Sequence, residues 1–168
     1  VRISGSNFDD SSTLWLMNSR VDNPLKSFNL DTNQWSSYDF TQIIPDGFND
    51  ELGFSDIVIG SNGTKWIGGL NSGLIGFNEN SGNPLLKRIN DNDVGNLPSP
   101  YVKSLAMDNN NHLWIGTIKG LRDLYNTSNF FDANVSTQQI VIEEDGIYKE
   151  LLEQQFISDI KVDGSNNK

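Results

Sequence analysis

Chemistry at a protein site needs reactive side chains in combination, and this chain of 168 residues offers few. It has one histidine, His112, and no cysteine. Thiolate nucleophiles, disulfides and Cys- or His-rich metal sites are therefore excluded. A Ser–His–Asp arrangement would have to form around His112 alone, and that residue follows a polar turn, where an exposed histidine is the simpler reading. Asp91-Asn92-Asp93-Val94-Gly95 alternates carboxylates like a calcium loop. It lacks the glutamate that closes a twelve-residue loop, so it reads as a solvated turn. Asp108-Asn109-Asn110-Asn111 reads as a hairpin turn, and Glu143-Glu144-Asp145 as a solvated acidic run. With 22 acidic residues, pairs of carboxylates arise by composition alone and do not announce a glycosidase. The expectation is no catalytic residue, no metal and no cofactor.

Stepping outward, 12 basic against 22 acidic residues leave a net charge of −10. That charge repels phosphate backbones and anionic lipid, which argues against nucleic-acid and membrane-surface binding. No apolar run approaches the roughly 18 residues of a membrane span. A chain that is 36% hydrophobic can bury a core, and its length suits one domain. The sequons Asn62-Gly63-Thr64, Asn126-Thr127-Ser128 and Asn134-Val135-Ser136 mark exposed turns at most.

The organising feature is a repeat. Trp15, Trp66 and Trp114 recur about 50 residues apart, the spacing of propeller blades. Aligned on the tryptophans, apolar residues coincide at Ile3, Phe54 and Val102, at Phe8, Ile59 and Met107, and at Leu16, Ile67 and Ile115. A polar turn precedes each tryptophan: Asp9 to Ser12, Gly60 to Gly63 and Asp108 to Asn111. An apolar strand, an Asn/Asp/Gly turn and a second strand predict a β-hairpin. Leu25, Leu74 and Leu121 start a third strand, followed by Phe28, Phe77 and Leu124. Fourth strands are expected at Gln34 to Phe40, Pro84 to Ile89 and Gln138 to Glu143. Gly146 to Gln154 is expected to form a helical turn or two as an insertion. Ile157 to Lys168 aligns residue for residue with Phe54 to Lys65, and the next residue in the register would be Trp.

The predicted fold is therefore all-β: a partial β-propeller of about three four-stranded antiparallel blades plus the start of a fourth. The blades fall at about 1–46, 52–92 and 100–145, with the fourth beginning at about 156–168. Blades are covered on both faces, which accounts for the unbroken apolar runs Ile57-Val58-Ile59 and Leu113-Trp114-Ile115. Trp15, Trp66 and Trp114 are the expected core, with Gly68 and Gly116 leaving room for the neighbouring blade. Three and a quarter blades do not close a ring of the usual four to eight. A longer polypeptide, or self-association through open blade edges, is expected.

The segment LPSPYVKSLAMDNNNHLWIGTIKGLRDLY, from Leu97 to Tyr125, resembles the two-component regulator propeller repeat of exported bacterial proteins. Trp114-Ile115-Gly116-Thr117 and Gly120-Leu121 carry that resemblance. Phe54 to Phe77 departs only at Gly69, where Thr is usual; Ile3 to Phe28 keeps Trp15 but is degenerate. The resemblance implies a periplasmic or cell-surface location in a Gram-negative bacterium. It implies either a surface protein linked to type IX secretion or the periplasmic sensor of a hybrid histidine kinase. In both, the propeller is a scaffold binding a glycan or protein partner. Propeller ligands meet loops at one end, and Arg20, Asn71, Tyr101 and Lys119 are the candidate ligand-binding residues there. A propeller glycosidase or lyase is the enzymatic alternative.

Overall fold

The computed structural model describes residues 2–44, 53–90, 95–132 and 134–168. Asp91 to Val94 of the calcium-like stretch lie outside them. In chain order, β1 (Ile3–Phe8), β2 (Thr13–Asn18), β3 (Leu25–Asn29) and β4 (Gln34–Tyr38) form one antiparallel sheet in sequential order. A second sheet repeats it with β5 (Phe54–Ile59), β6 (Lys65–Gly69), β7 (Leu74–Asn78) and β8 (Leu85–Ile89). A third has β9 (Val102–Met107), β10 (Leu113–Thr117) and β11 (Gly120–Leu124). The innermost strands β1, β5 and β9 stand side by side. The fold is a partial β-propeller.

Each innermost strand carries a bulge at the same place, skipping Ser4, Ser55 and Lys103 in the register. A bulge bends and twists a strand, as the crowded inner edge of a blade requires. Side chains there stitch neighbouring blades. Ser19 Oγ accepts from the Phe54 amide at 3.0 Å, and Ser55 Oγ donates to the Val102 carbonyl at 2.7 Å. Gly68 and Gly116 lie at these seams. A Cβ on Gly68 would stand 3.1 Å from Val102, and one on Gly116 would stand 2.7 Å from Ile157.

Two cores fill the spaces between blades. Trp15, Met17 and Leu25 pack against Phe54, Ile57, Ile67, Ile75 and Phe77 between the first and second blades. Trp66, Leu74 and Ile89 pack against Val102, Leu113, Ile115 and Phe130 between the second and third. Trp15 and Trp66 are about 1% exposed or less, whereas Trp114 is only half-buried. Its ring is met by Lys168, at 4.8 Å, from residues 157–168, which run along the third blade without forming a strand. Ile157 N–H donates to the Thr117 carbonyl at 2.9 Å, and Asn109 N–H donates to Asn166 Oδ1 at 2.9 Å.

The third blade departs from expectation. Gln138 to Glu143 does not make its fourth strand: Gln138 pairs with Asp123 in a single bridge, and the chain then leaves. The cause is the loop after β11. It carries a 3₁₀ turn, Thr127–Asn129, and sets Phe130 edge-on against Trp66 at 4.8 Å. That ring lies over Gly76 of the second blade, so the chain leaving β11 runs into the seam between blades instead of turning straight back along β11. Nor does Gly146 to Gln154 form a helical turn. β12 (Val141–Glu144) and β13 (Ile147–Glu150) pair as a hairpin. Asp145 and Gly146 both have positive φ, 53° and 78°, which suits a two-residue hairpin loop and its right-handed strand twist.

Candidate functional site

The end of the arc bearing the β1–β2, β5–β6 and β9–β10 turns has the most elaborate polar chemistry. Asp9 leads the first turn. Its Oδ1 accepts from the Ser11 and Thr13 amides, and its Oδ2 accepts from the Trp15 indole at 2.8 Å. Asp108 does the same in the third blade, accepting from Asn110, His112 and the Trp114 indole. One carboxylate thus closes the turn and anchors the indole six residues on. Burial raises the pKa of Asp9, but Trp15 and the two amides outweigh it and hold the acid ionised. Asp108 is held further below its ordinary value, because Lys168 Nζ also approaches to 2.9 Å. Gly60 occupies this place in the second blade, and the buried Trp66 Nε1 has no partner.

Between the first two turns lies an open cleft of about 740 Å³. Phe8 and Asp10 stand on one wall, and Lys65, Asn78 and Glu79 on the other. Lys65 is buried, pairs with Glu79 at 3.1 Å and lies 3.9 Å from the Trp15 ring centroid.

A second cluster surrounds the histidine. His112 Nδ1 is 3.6 Å from Asp123 Oδ2 and 4.0 Å from Asp108 Oδ2, and its ring meets Tyr125 edge-on at 4.6 Å. Asp123 is 1% exposed, and neither of its carboxylate oxygens has a hydrogen-bond partner. Burial pushes its pKa up to about 6, and the charge of Asp108 adds to the rise. A protonated Asp123 could donate a proton, but an acyl-transfer site also needs a placed nucleophile. Among the described residues, no group of three or more His, Asp or Glu is arranged to hold a metal.

The four loop residues singled out in the sequence lie at the opposite end. Arg20 sits in the β2–β3 loop with φ of 62°, Asn71 in the β6–β7 loop and Lys119 in the β10–β11 turn; all three are exposed. Tyr101, half-buried, immediately precedes β9. The loops of Asn71, Tyr101 and Lys119 are joined: Gly73 N–H donates to the Pro100 carbonyl at 2.8 Å, and Ile118 N–H to the Tyr101 carbonyl at 3.3 Å. Arg20 belongs to the first blade's loop, whose Ser19 Oγ accepts from the Phe54 amide at the start of the second blade. The cleft and the histidine cluster lie outside the four. The legible signal for the turn end was an Asp six residues before Trp15 and Trp114.

Residues 96–119 match the family model described as Two component regulator propeller. This segment is a regulator-propeller repeat. No curated protein matches the chain in sequence. Among solved structures, PorZ of Porphyromonas gingivalis, a bacterial surface component of the type IX secretion system, superposes with a TM-score of 0.81. Identity is 18%, over 99% of this chain and 24% of PorZ. Virginiamycin B lyase from Staphylococcus aureus gives 0.61 at 16% identity, over 98% of this chain and 46% of the lyase. The extracellular domain of BT3049 from B. thetaiotaomicron, described as a hybrid two component system, gives 0.54 at 18% identity, over 75% of this chain and 16% of that one. The chain spans about a quarter of PorZ and under half of the lyase. At these identities the likeness is one of fold. No helix is long and apolar enough to cross a membrane among the described residues.

Proposed function

We propose that this chain is a non-catalytic arc of an exported β-propeller, a scaffold that presents its loop end to a glycan or protein partner in a surface protein associated with type IX secretion. The observation that carries this reading is the superposition on PorZ along 99% of the chain. The regulator-propeller repeat and the likeness to the BT3049 extracellular domain support a second reading, a periplasmic sensor whose ligand binding drives signalling. Both readings use the same surface. Arg20 and Lys119 bring cations, Asn71 an amide and Tyr101 an aromatic ring, the groups that recognise sugars or peptides.

The test is binding of the purified chain to an array of bacterial surface polysaccharides and outer-membrane protein ectodomains. Alanine at Asn71, Tyr101 and Lys119 is expected to abolish the signal, with Arg20→Ala weakening it, while the folded spectrum is unchanged. Binding that survives all four substitutions would displace the reading. So would turnover of an arrayed polysaccharide that is lost on a single carboxylate substitution.

A further inference from the structure

The hairpin of β12 and β13 lies outside the blade repeat, and around it the chain concentrates the apolar surface it leaves to solvent. Of the twelve large hydrophobic side chains exposed among the described residues, six fall within residues 141–156. No third strand pairs with β12 or β13. A lone two-stranded hairpin buries too little to be stable by itself, so this one depends on what holds its base. That base sits at the loop end of the third blade. Arg122, buried on β11, pairs with Glu150, and a Cβ on Gly120, next to Lys119, would stand 3.4 Å from the Leu152 carbonyl. Beyond the base, Val141 to Lys149 are exposed throughout.

Leu151 N–H donates to the Ile140 carbonyl at 2.7 Å, and the ladder alternates from there. Ile142 with Lys149 and Glu144 with Ile147 are the hydrogen-bonded pairs, so the backbone groups of Val141 and Glu143 point away from β13. Nothing among the described residues bonds to them on that side. The outer edge of β12 is therefore open along its length. Its side chains read apolar, apolar, acidic, acidic: Val141, Ile142, Glu143 and Glu144. Glu144 pairs only with the exposed Lys149, at 2.9 Å, and no cation among the described residues pairs with Glu143.

We propose that this edge is a docking site for one occupant: an extended segment of a partner protein that adds a third, antiparallel strand and reads basic, basic, apolar, apolar. In that register its two cations face Glu144 and Glu143, and its two apolar residues face Ile142 and Val141. Side chains directly opposite across an antiparallel ladder are the ones that interact, and opposite charges there are favourable. Four residues, about 13 Å of strand, fill the open edge. A second copy of the chain does not fit. Antiparallel pairing of two β12 edges would set each Glu144 opposite a Val141 and each Glu143 opposite an Ile142, with no counter-charge for any of the four acids. The site is separate from Arg20, Asn71, Tyr101 and Lys119 and goes beyond the role proposed for them.

The probe is a fluorescein-labelled peptide whose centre reads Lys-Lys-Val-Val between serines, titrated into the full chain. One control has proline for the second valine, which keeps the charge but removes the N–H that would pair with Val141. The others read Lys-Val-Lys-Val and Glu-Glu-Val-Val. The first peptide is expected to bind at least about tenfold more tightly than any control, with slowed amide exchange at Val141 and Glu143. Ile142→Ser, which keeps the charge, should weaken it. Glu143→Lys with Glu144→Lys should invert the choice, so that the Glu-Glu-Val-Val peptide binds at least about tenfold more tightly than the lysine peptide. These side chains are exposed, so the urea midpoint of each variant should match that of the natural chain. Absence of binding, equal binding of the proline peptide, no inversion, or protection at the loops of Asn71 and Lys119 instead of β12 would overturn the proposal. So would a concentration-dependent dimer of the chain alone that protects Val141 and Glu143, since it would make a second copy the occupant.

Discussion

Asp123→Asn is expected to stabilise the protein at neutral pH and not at acid pH. Asp123 is 1% exposed on β11, its carboxylate facing the His112 ring and the Tyr125 hydroxyl without a well-formed hydrogen bond to either. The titratable and charged groups around it are His112, Asp108, Lys168 and Tyr125. Its pKa is pushed up to about 6 from 3.8, chiefly by burial and then by the neighbouring Asp108, against the pull of His112 and Lys168. A raised pKa favours the protonated fold, so the group's contribution is fully present below pH 3.8 and is lost as pH rises through about 6. A shift of about two units at 1.36 kcal/mol each corresponds to a loss of about 3 kcal/mol by pH 7.5. Asparagine has the same shape and does not ionise. It forgoes the attraction of His112 and Lys168, which leaves an expected net gain of about 1–3 kcal/mol at pH 7.5 and little change at pH 4. Urea titrations followed by tryptophan fluorescence at the two pH values measure the difference. A substitution effect that is equal at both values, or destabilisation at pH 7.5, would refute the account of Asp123 as an acid whose burial outweighs the attraction of its neighbours.

The buried indoles should rank by burial: Trp66→Ala is expected to cost about 3–5 kcal/mol in denaturant titration, and Trp114→Ala about half as much, since its outer face is only half covered. Gly73 has φ of +75°, and a Cβ there would lie 2.1 Å from the Ile89 carbonyl. Gly73→Ala should therefore lower stability by well over about 1 kcal/mol, read as a depressed Tm. Replacing Asp145 and Gly146 together by alanine should speed amide exchange in β12 and β13 while leaving global stability within about 0.5 kcal/mol, because the hairpin's side chains are nearly all exposed.

The spacing of Trp15, Trp66 and Trp114 made the blades legible because an indole needs a large, recurring space, and only a repeated architecture supplies one at that interval. The first eleven strands followed from it. What escaped was whatever the repeat did not dictate. Phe130 comes from a loop outside the pattern, yet its ring packs on Trp66 between the second and third blades, drawing the chain after β11 off the course of the expected outer strand. The Asp145-Gly146 pair was a readable hairpin signal, flanked by Val141-Ile142 and Ile147-Tyr148, but a run of helix-forming residues after it pointed to helical turns. The site was less legible still. Arg20, Asn71, Tyr101 and Lys119 were chosen by loop position, and loops carry no periodicity that would say which side chains converge. The approach of His112 to Asp123, at 3.6 Å, brings together residues eleven apart in the chain, a separation no spacing rule covers.

The buried atoms without partners mark where the repeat has been altered. Register sets Ser27, Gly76 and Asp123 opposite the three tryptophans in turn. In the first two blades this place is small, and aromatic rings use it: Phe130 lies against Gly76, and Tyr38 stacks on Trp15 beside Ser27. In the third blade an acid stands there instead. Trp66 is left without a partner by the opposite difference, a glycine, Gly60, where the other two blades carry an aspartate. The one leaves an apolar seam without a carboxylate; the other places a carboxylate on the face along which residues 157–168 run. The first suits permanent burial between blades. The second leaves an unsatisfied acid beside the chain's one imidazole, on the side where Trp114 is still half open. Of the two sites, only Asp123 itself changes charge near neutral pH, its pKa being pushed up to about 6 by burial, so that face, rather than the sealed seam at Trp66, is where packing will respond to solution conditions.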